Sequence, residues 1–240
     1  MNTSNQKITT AIVLAGGFGT RLQSVVQDVP KPMAPVNGKP FLYWVMKYLV
    51  KQNINHIILS VGYKHQTIID YFGHKFEQVP LNYAVELSPL GTGGGILLAS
   101  RFSNFNSFMV VNGDTFFNVP LNEFSDFHFE SQSDLSIALK PMNDFDRYGI
   151  VETDTSNRVI AFKEKMKREE GNINGGIYIT SRSFLESLNL KDAFSFEKDV
   201  LEKKLTEKKF CAFQFDKYFI DIGIPEDYNK AQTDVEFKGN

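Results

Sequence analysis

An apolar, β-branched run, TTAIVLA (residues 9–15), leads straight into GGFGTRL, and PKP follows at residues 30–32. A continuous apolar run of this length reads as a strand buried on both faces of a parallel sheet. The glycines therefore stand at a strand's carboxyl end. In open α/β sheets that edge is where ligands bind, and glycines there let backbone amides approach a phosphate with no Cβ in the way.

The rest of the chain fits this beginning. NGKPFLYWVMKYLVKQN carries Phe41, Leu42, Val45, Met46 and Leu49 at helical spacing, and HIILSVGY then reads as a strand. KHQTIIDYFG predicts a short helix closed by Gly73, LNYAVE a strand, GTGGGILLAS a glycine-opened helix and SFMVVNGD a further buried strand. Through Asp114 the expectation is a Rossmann-like α/β fold, a mostly parallel twisted sheet flanked by helices. Beyond it the rhythm changes. DLSIALKP, YGIVETD, RVIAFKEK and NGGIYITS leave little room for crossover helices and predict antiparallel additions or a small strand-rich lobe. SFEKDVLEKKLTEKK reads as an amphipathic helix, followed by the strands FCAFQF and KYFIDIG. With no repeat and no proline-rich linker, residues 1–240 read as one domain, its first half about 8–120 and its second about 121–235.

Composition narrows the partners. The 26 basic and 28 acidic residues leave a formal charge of −2, which provides no global field for nucleic acid or a membrane surface, so phosphate binding must be local. A single cysteine, Cys211, excludes an intrachain disulfide framework and suits a reducing compartment, the cytoplasm by default. The start MNTSNQKITT lacks a signal-peptide core, and no apolar run approaches the roughly 20 residues of a membrane span. The 22 phenylalanines are read as packing, and the aromatic-rich DTFFNVPLNEFSDFHF as core ahead of a homo-oligomer surface. His56, His65, His74 and His128 show no metal spacing, are expected at the surface or strand edges, and receive no function.

GGFGTRL is neither a dinucleotide fingerprint nor a Walker A loop, because no third glycine follows at the required spacing and no Gly-Lys-Ser/Thr follows. Arg21 can grip phosphate oxygens bidentately, and Lys31 offers a compact charge on a segment stiffened by Pro30 and Pro32. Together they suit a polyphosphate. Gly16, Gly17, Gly19, Thr20, Arg21 and Leu22, with Pro30-Lys31-Pro32 at this interval, resemble the signature of the sugar-1-phosphate nucleotidyltransferase family. Those enzymes join a nucleoside triphosphate to a sugar 1-phosphate and release pyrophosphate.

Five further stretches extend the resemblance from Ala11 to about Ala231. VVNGDTFF places Asp114 after a strand, where a carboxylate can hold Mg²⁺ against phosphate oxygens. FIDIGIPEDY carries Asp221 in the setting of the family's second metal aspartate, before a turn into a helix. FKEK and NGGIY resemble the sugar-side segments. The resemblance implies that Glu164 accepts sugar hydroxyls, Lys165 binds the sugar's phosphate with Lys163 as the fallback, and Gly149, Asn174 and Gly175 line the pocket of a sugar-binding lobe. The fallback is kept because Met166 stands where the family has proline, before the charged loop KREEG. In ELSPLGTGGGI, Gly91, Thr92 and Gly93 look like guanylyltransferases acting on mannose-like sugars, and Glu86 is a candidate acceptor for the guanine N1 and N2 donors. With Leu14, Ala15, Gly16, Gly17, Gly19 and Thr20 these residues would form the nucleotide site.

The resemblance implies in-line attack of the sugar 1-phosphate on the nucleotide α-phosphorus. Arg21 would serve the triphosphate, Lys31 the α-phosphate, and Asp114 with Asp221 the Mg²⁺. The expected partners are GTP and a sugar 1-phosphate. Members acting on D-glycero-D-manno-heptose 1-phosphate are the most similar, with mannose 1-phosphate guanylyltransferases and N-acetylmuramate 1-phosphate uridylyltransferases as near alternatives. Two other classes stay in view: a non-catalytic regulatory paralogue, and a metal-dependent glycosyltransferase, for which Asn112-Gly113-Asp114 lacks the first aspartate of an Asp-x-Asp motif.

Overall fold

A computed structural model describes residues 7–17, 29–163 and 165–238. In chain order, β1 (Thr10–Leu14) ends at the glycines, and a small hairpin of β2 (Pro35–Val36) and β3 (Lys39–Pro40) leads into α1 (Phe41–Lys51). Then come β4 (His56–Val61), α2 (His65–Phe72), β5 (Lys75–Phe76), β6 (Val79–Val85), α3 (Gly91–Ser100) and β7 (Ser107–Asn112). The second half runs through β8 (Thr115–Phe117), α4 (Leu121–Ser131), β9 (Leu135–Phe145), β10 (Ile150–Thr153), β11 (Val159–Lys163), β12 (Arg168–Ser181) and α5 (Arg182–Ser187). A π-helical turn, Phe196–Glu202, precedes β13 (Phe210–Gln214), β14 (Phe219–Asp221) and α6 (Pro225–Ala231).

The apolar runs become the centre of the sheet. β7, β1, β4 and β6 lie side by side and parallel, with Ile12 opposite Ile58 on one side and Val110 on the other. Ala11 and Val13 face one apolar cluster with α1, while Ile12 faces a second with Ile96 and Ala99 of α3. Both faces of β1 are thus dry, and this is why its sequence does not alternate.

β12 joins the two halves. Residues Ile177–Ser181 pair antiparallel with β7, the strand pairs with β9 from Arg168 to Thr180, and Ile173 meets Ile150 of β10. A register break between Asn174 and Tyr178 lets one strand serve both neighbours by adding local twist and bend. β13 closes the lobe by pairing parallel with β9 and meeting the chain before β11 through the Arg158–Cys211 bridge. The antiparallel additions are therefore present, with one parallel strand among them.

Three local expectations are corrected. The stretch at 195–209 does not form a regular amphipathic helix: Ser195 Oγ accepts from Lys198 N at 3.2 Å, Asp199 accepts from Ser195 N at 2.8 Å, and only Phe196–Glu202 is helical, in π form. Burial of Phe196, Val200 and Leu201 sets this register, so tertiary packing overrides local propensity. The charged KREEG stretch is largely strand, Arg168 and Glu170 pairing with Phe145 and Asn143 of β9. His128 is buried rather than at the surface. It lies on the inner face of α4 with Leu121, Phe124 and Ser125, its Nδ1 2.8 Å from Ser136 Oγ, and burial lowers its pKa to about 4. The aromatic-rich stretch does pack inward, with Phe116, Phe117 and Phe124 buried.

Candidate active site

The site is built where β1 and β7 end. Pro30 is extended, and Lys31–Met33 form a single 3₁₀ turn in which Met33 N donates to the Pro30 carbonyl at 2.7 Å. The two prolines restrict this turn, and it aims Lys31 inward. Gly113 N donates to the Leu14 carbonyl at 2.9 Å, and a Cβ on Gly113 would stand 2.6 Å from that oxygen, so only glycine lets the turn after β7 come so close to β1. Asp114 is the next residue. β14 pairs antiparallel with β8, Asp221 opposite Thr115, and Ile222 N donates to the Asp114 carbonyl at 3.1 Å. Two aspartates 107 positions apart thereby become neighbours.

Their carboxylates converge on one ammonium. Lys31 Nζ lies 2.7 Å from Asp114 Oδ2 and 3.2 Å from Asp221 Oδ1. Gly223 N fixes Asp221 by donating to Oδ1 at 2.8 Å, and a side chain at 223 would stand 2.9 Å from that oxygen and 3.0 Å from Lys31 Nζ. The chemistry of this donor set fits a divalent cation. A single cation already draws both carboxylates together, and Mg²⁺ is typically held by one or two carboxylates with phosphate oxygens and water completing its shell. Among the described residues no cluster of three or more metal-ligating side chains occurs.

Beside this cluster opens a cavity of about 530 Å³, reached by Asp221, Thr115, Lys163, Lys165, Gly149 and the Asn174–Gly176 segment. Asn174 is held from two sides: its Oδ1 accepts from Gly176 N at 3.1 Å and its Nδ2 donates to Tyr178 Oη at 2.8 Å. One amide N–H is left over. Gly175 is compelled by the Phe117 ring, 2.4 Å from where a Cβ would sit, and Gly176 by a φ of +75°. Gly149 is equally required, because its Cβ would meet the Lys163 carbonyl at 2.6 Å. Lys163 forms an ion pair with Glu152 across β10 and β11, whereas Lys165 pairs with no described acidic side chain. Both amines line the cavity.

On the nucleotide side, Leu14 reaches the cavity, Ala15 N donates to the Ser60 carbonyl at 2.8 Å, and Gly17 stands in the open. Glu86 accepts from Ser60 Oγ at 3.3 Å and Leu90 N at 3.1 Å, its carboxylate filling the space left by Gly95 and Gly16. The α3 glycines are accounted for by packing within the fold. Gly93 N and Gly94 N donate to the Phe194 carbonyl at 3.0 and 3.4 Å, so these amides are already engaged. A Cβ on Gly93 would lie 2.1 Å from the Phe194 ring, one on Gly91 2.6 Å from the Phe194 carbonyl, and one on Gly94 2.2 Å from the Asp192 carbonyl. These glycines admit the 192–196 segment against α3. Thr92 holds the same segment by accepting from Phe196 N at 3.0 Å, and it also faces the cavity.

Gly19, Thr20, Arg21 and Glu164 lie outside the described residues. The structure adds cavity residues that the sequence pattern did not single out: Tyr148, Gly176, Tyr178, Glu197 and Phe219. Burial and the nearby Asp221 charge hold the Tyr148 phenol well above its ordinary pKa, and burial does the same for Tyr178. Glycine pairs and a tyrosine two positions beyond were visible in NGGIY, but Glu197 sits in the π-helical turn and had no local signal.

Comparison with known proteins bears on the whole chain. It is 51% identical to a D-glycero-alpha-D-manno-heptose 1-phosphate guanylyltransferase of Aneurinibacillus thermoaerophilus, over 94% of this chain and 98% of that protein. A protein of the same name from Campylobacter jejuni is 46% identical, over 91% and 96%. Among solved structures, that of HddC from Yersinia pseudotuberculosis complexed with GMP-PN has a TM-score of 0.85 at 42% identity, covering 94% of this chain and 98% of that one. The Nucleotidyl transferase family model matches residues 10–238, and with the carboxylate pair and glycine turns in place at the sheet edge, the chain belongs to the nucleotidyl transferase family.

Proposed function

We propose that this protein transfers GMP from GTP to D-glycero-α-D-manno-heptose 1-phosphate, releasing pyrophosphate and forming a GDP-heptose for bacterial surface polysaccharide. The convergence of Asp114 and Asp221 on Lys31 beside the cavity carries the reaction class. The sugar and base are taken from the guanylyltransferases that match this chain nearly end to end.

An oxygen of the sugar 1-phosphate attacks the α-phosphorus of GTP. The new P–O bond forms as the bond to the β-phosphate breaks, and pyrophosphate leaves with the electron pair. The nucleophile is already ionised near neutral pH, so no general base is needed. The barrier is repulsion between anions and growth of charge at the α-phosphate, which cations in fixed positions lower. Lys31 supplies one such cation to the α-phosphate and Arg21 another to the leaving pyrophosphate. Mg²⁺, held by Asp114 and Asp221, would supply charge neutralisation at the phosphates. Lys165 takes the sugar's phosphate, since Lys163 is tied to Glu152. Asn174 offers its remaining N–H, and Gly175 its lack of a side chain, to the sugar. Glu164 accepts sugar hydroxyls. Glu86 retains lone pairs for guanine beyond the two donors it already serves.

Among the described residues no helix is long and apolar enough to cross a membrane. A buried, unpaired Cys211 is in keeping with a cytoplasmic enzyme drawing on GTP. The test is pyrophosphate release with Mg²⁺, crossing GTP, UTP, dTTP, CTP and ATP with manno-heptose, mannose, glucose and N-acetylmuramic acid 1-phosphates. Release confined to GTP with the manno-heptose phosphate is expected. Another productive pair would replace the substrate, and silence from every pair in folded protein would overturn the enzymatic reading.

A further inference from the structure

The loop between β9 and β10 brings Tyr148 and Gly149 to the cavity wall, while β14 ends at Asp221 and leads into α6. These two segments come from opposite ends of the second half and are fastened at one point. Arg147 Nη2 donates to Asp227 Oδ2, in the first turn of α6, at 2.7 Å. The same guanidinium lies 5.4 Å from the Tyr148 ring centroid, and the Tyr148 ring meets Phe219 of β14 edge-on at 6.0 Å. Arg147 is not among the residues that line the cavity.

We propose that Arg147 is a positioning residue: its pairing with Asp227 clamps the Tyr148–Gly149 wall onto the strand that bears Asp221, holding the sugar side of the cavity in register with the carboxylate pair. Two observations support a kinetic rather than a stabilising purpose. The pair is partly exposed, Arg147 by 39% and Asp227 by 23%, and ion pairs this open contribute little to folding. At the far end of the loop Gly149 packs close to β11, 2.6 Å separating the Lys163 carbonyl from where a Cβ would sit, so the Arg147 end is the part whose placement depends on the pair. Shifts of about 1 Å at reacting groups cost on the order of 10²-fold in rate, so a modest loosening is measurable.

The clamp rests on the proposed sugar 1-phosphate transfer, and its test separates the two. Arg147→Gln, Asp227→Asn and the double variant are assayed beside wild type for KM of each substrate, with melting temperatures. Either single change should raise the sugar 1-phosphate KM by about 10–100-fold, as losses of supporting contacts commonly do, with the GTP KM within about twofold and the melting point nearly unchanged. The double variant should be no worse than the singles, as for two partners in one interaction. Hydrogen exchange at residues 146–150, which needs no substrate, should be faster in both single variants. Wild-type turnover with unaltered sugar KM in the singles, additive losses, or equal changes in both KM values would overturn the clamp alone. An inactive wild type would overturn the transfer reading, and unchanged exchange at 146–150 would then dispose of the clamp as well.

Discussion

Replacing Lys31 by methionine keeps most of the length of the side chain and removes its charge, so it probes the two jobs the geometry gives this ammonium. In turnover, Lys31 is one preorganised cation for the reacting phosphate, and loss of one such contact costs about 10²–10³-fold in kcat, or roughly 3–4 kcal/mol. In the metal-free protein, Lys31 also separates two carboxylates by bonds of 2.7 and 3.2 Å, with its own side chain 12% exposed and theirs 36% and 30%. Charge-assisted bonds contribute about 1.5–3 kcal/mol each when buried, and discounting for the exposed carboxylates leaves about 1–3 kcal/mol for the pair. For a chain of this size 1 kcal/mol moves the melting point by about 2–4 °C, so Lys31→Met should melt roughly 2–12 °C lower in EDTA. Mg²⁺ should recover more of that loss in the variant than it adds to wild type, because it meets two carboxylates with no ammonium between them. The assays are coupled pyrophosphate release at saturating substrates and calorimetry with EDTA or Mg²⁺. A kcat within about threefold of wild type, or equal Mg²⁺ stabilisation of both proteins, would refute the reasoning.

Two further predictions concern the framework. His128 holds its proton in the fold only below about pH 4, because burial disfavours the charged ring, whereas an unfolded histidine titrates near 6.5. Its contribution is therefore complete above pH 6.5 and is lost as pH falls toward 4, reaching about 3 kcal/mol. Urea unfolding from pH 7.5 to 4.5 should show a shallower loss in His128→Asn than in wild type, and parallel curves would count against the assignment. At Gly176, where φ is +75° and a Cβ would lie 2.6 Å from Asn112 Nδ2, alanine must adopt a left-handed backbone at about 1–2 kcal/mol. Gly176→Ala should lower the melting point and raise the sugar 1-phosphate KM, and an unchanged KM in folded protein would remove Gly176 from the pocket's support.

The parts legible in sequence are those with a short-range physical signature. β1 was readable because a strand dry on both faces needs an unbroken apolar run, and Lys31 because the prolines on either side of it mark a restricted turn. α4 carried its signal, Leu121, Phe124, Ser125 and His128 at helical spacing, but polar residues on the buried side and the flanking Phe127 and Phe129 blurred it. The α3 glycines were visible as glycines, and their reason was not: it is the Phe194 ring and carbonyl, supplied from a hundred positions away.

The chain's family, the α/β order of its first half, the strand-rich character of its second and the residue types of the phosphate site could all be read from the order of its amino acids. These rest on periodicity, local backbone chemistry and motifs of fixed spacing. Folding in three dimensions was needed to show that Asp114 and Asp221 share one ammonium, that Asn174 is held by Tyr178, that His128 is buried, and that Arg147 reaches Asp227. Each of those is a meeting of side chains far apart along the chain or on a face that local pattern leaves ambiguous, and strand pairing and core packing alone bring them to bonding distance.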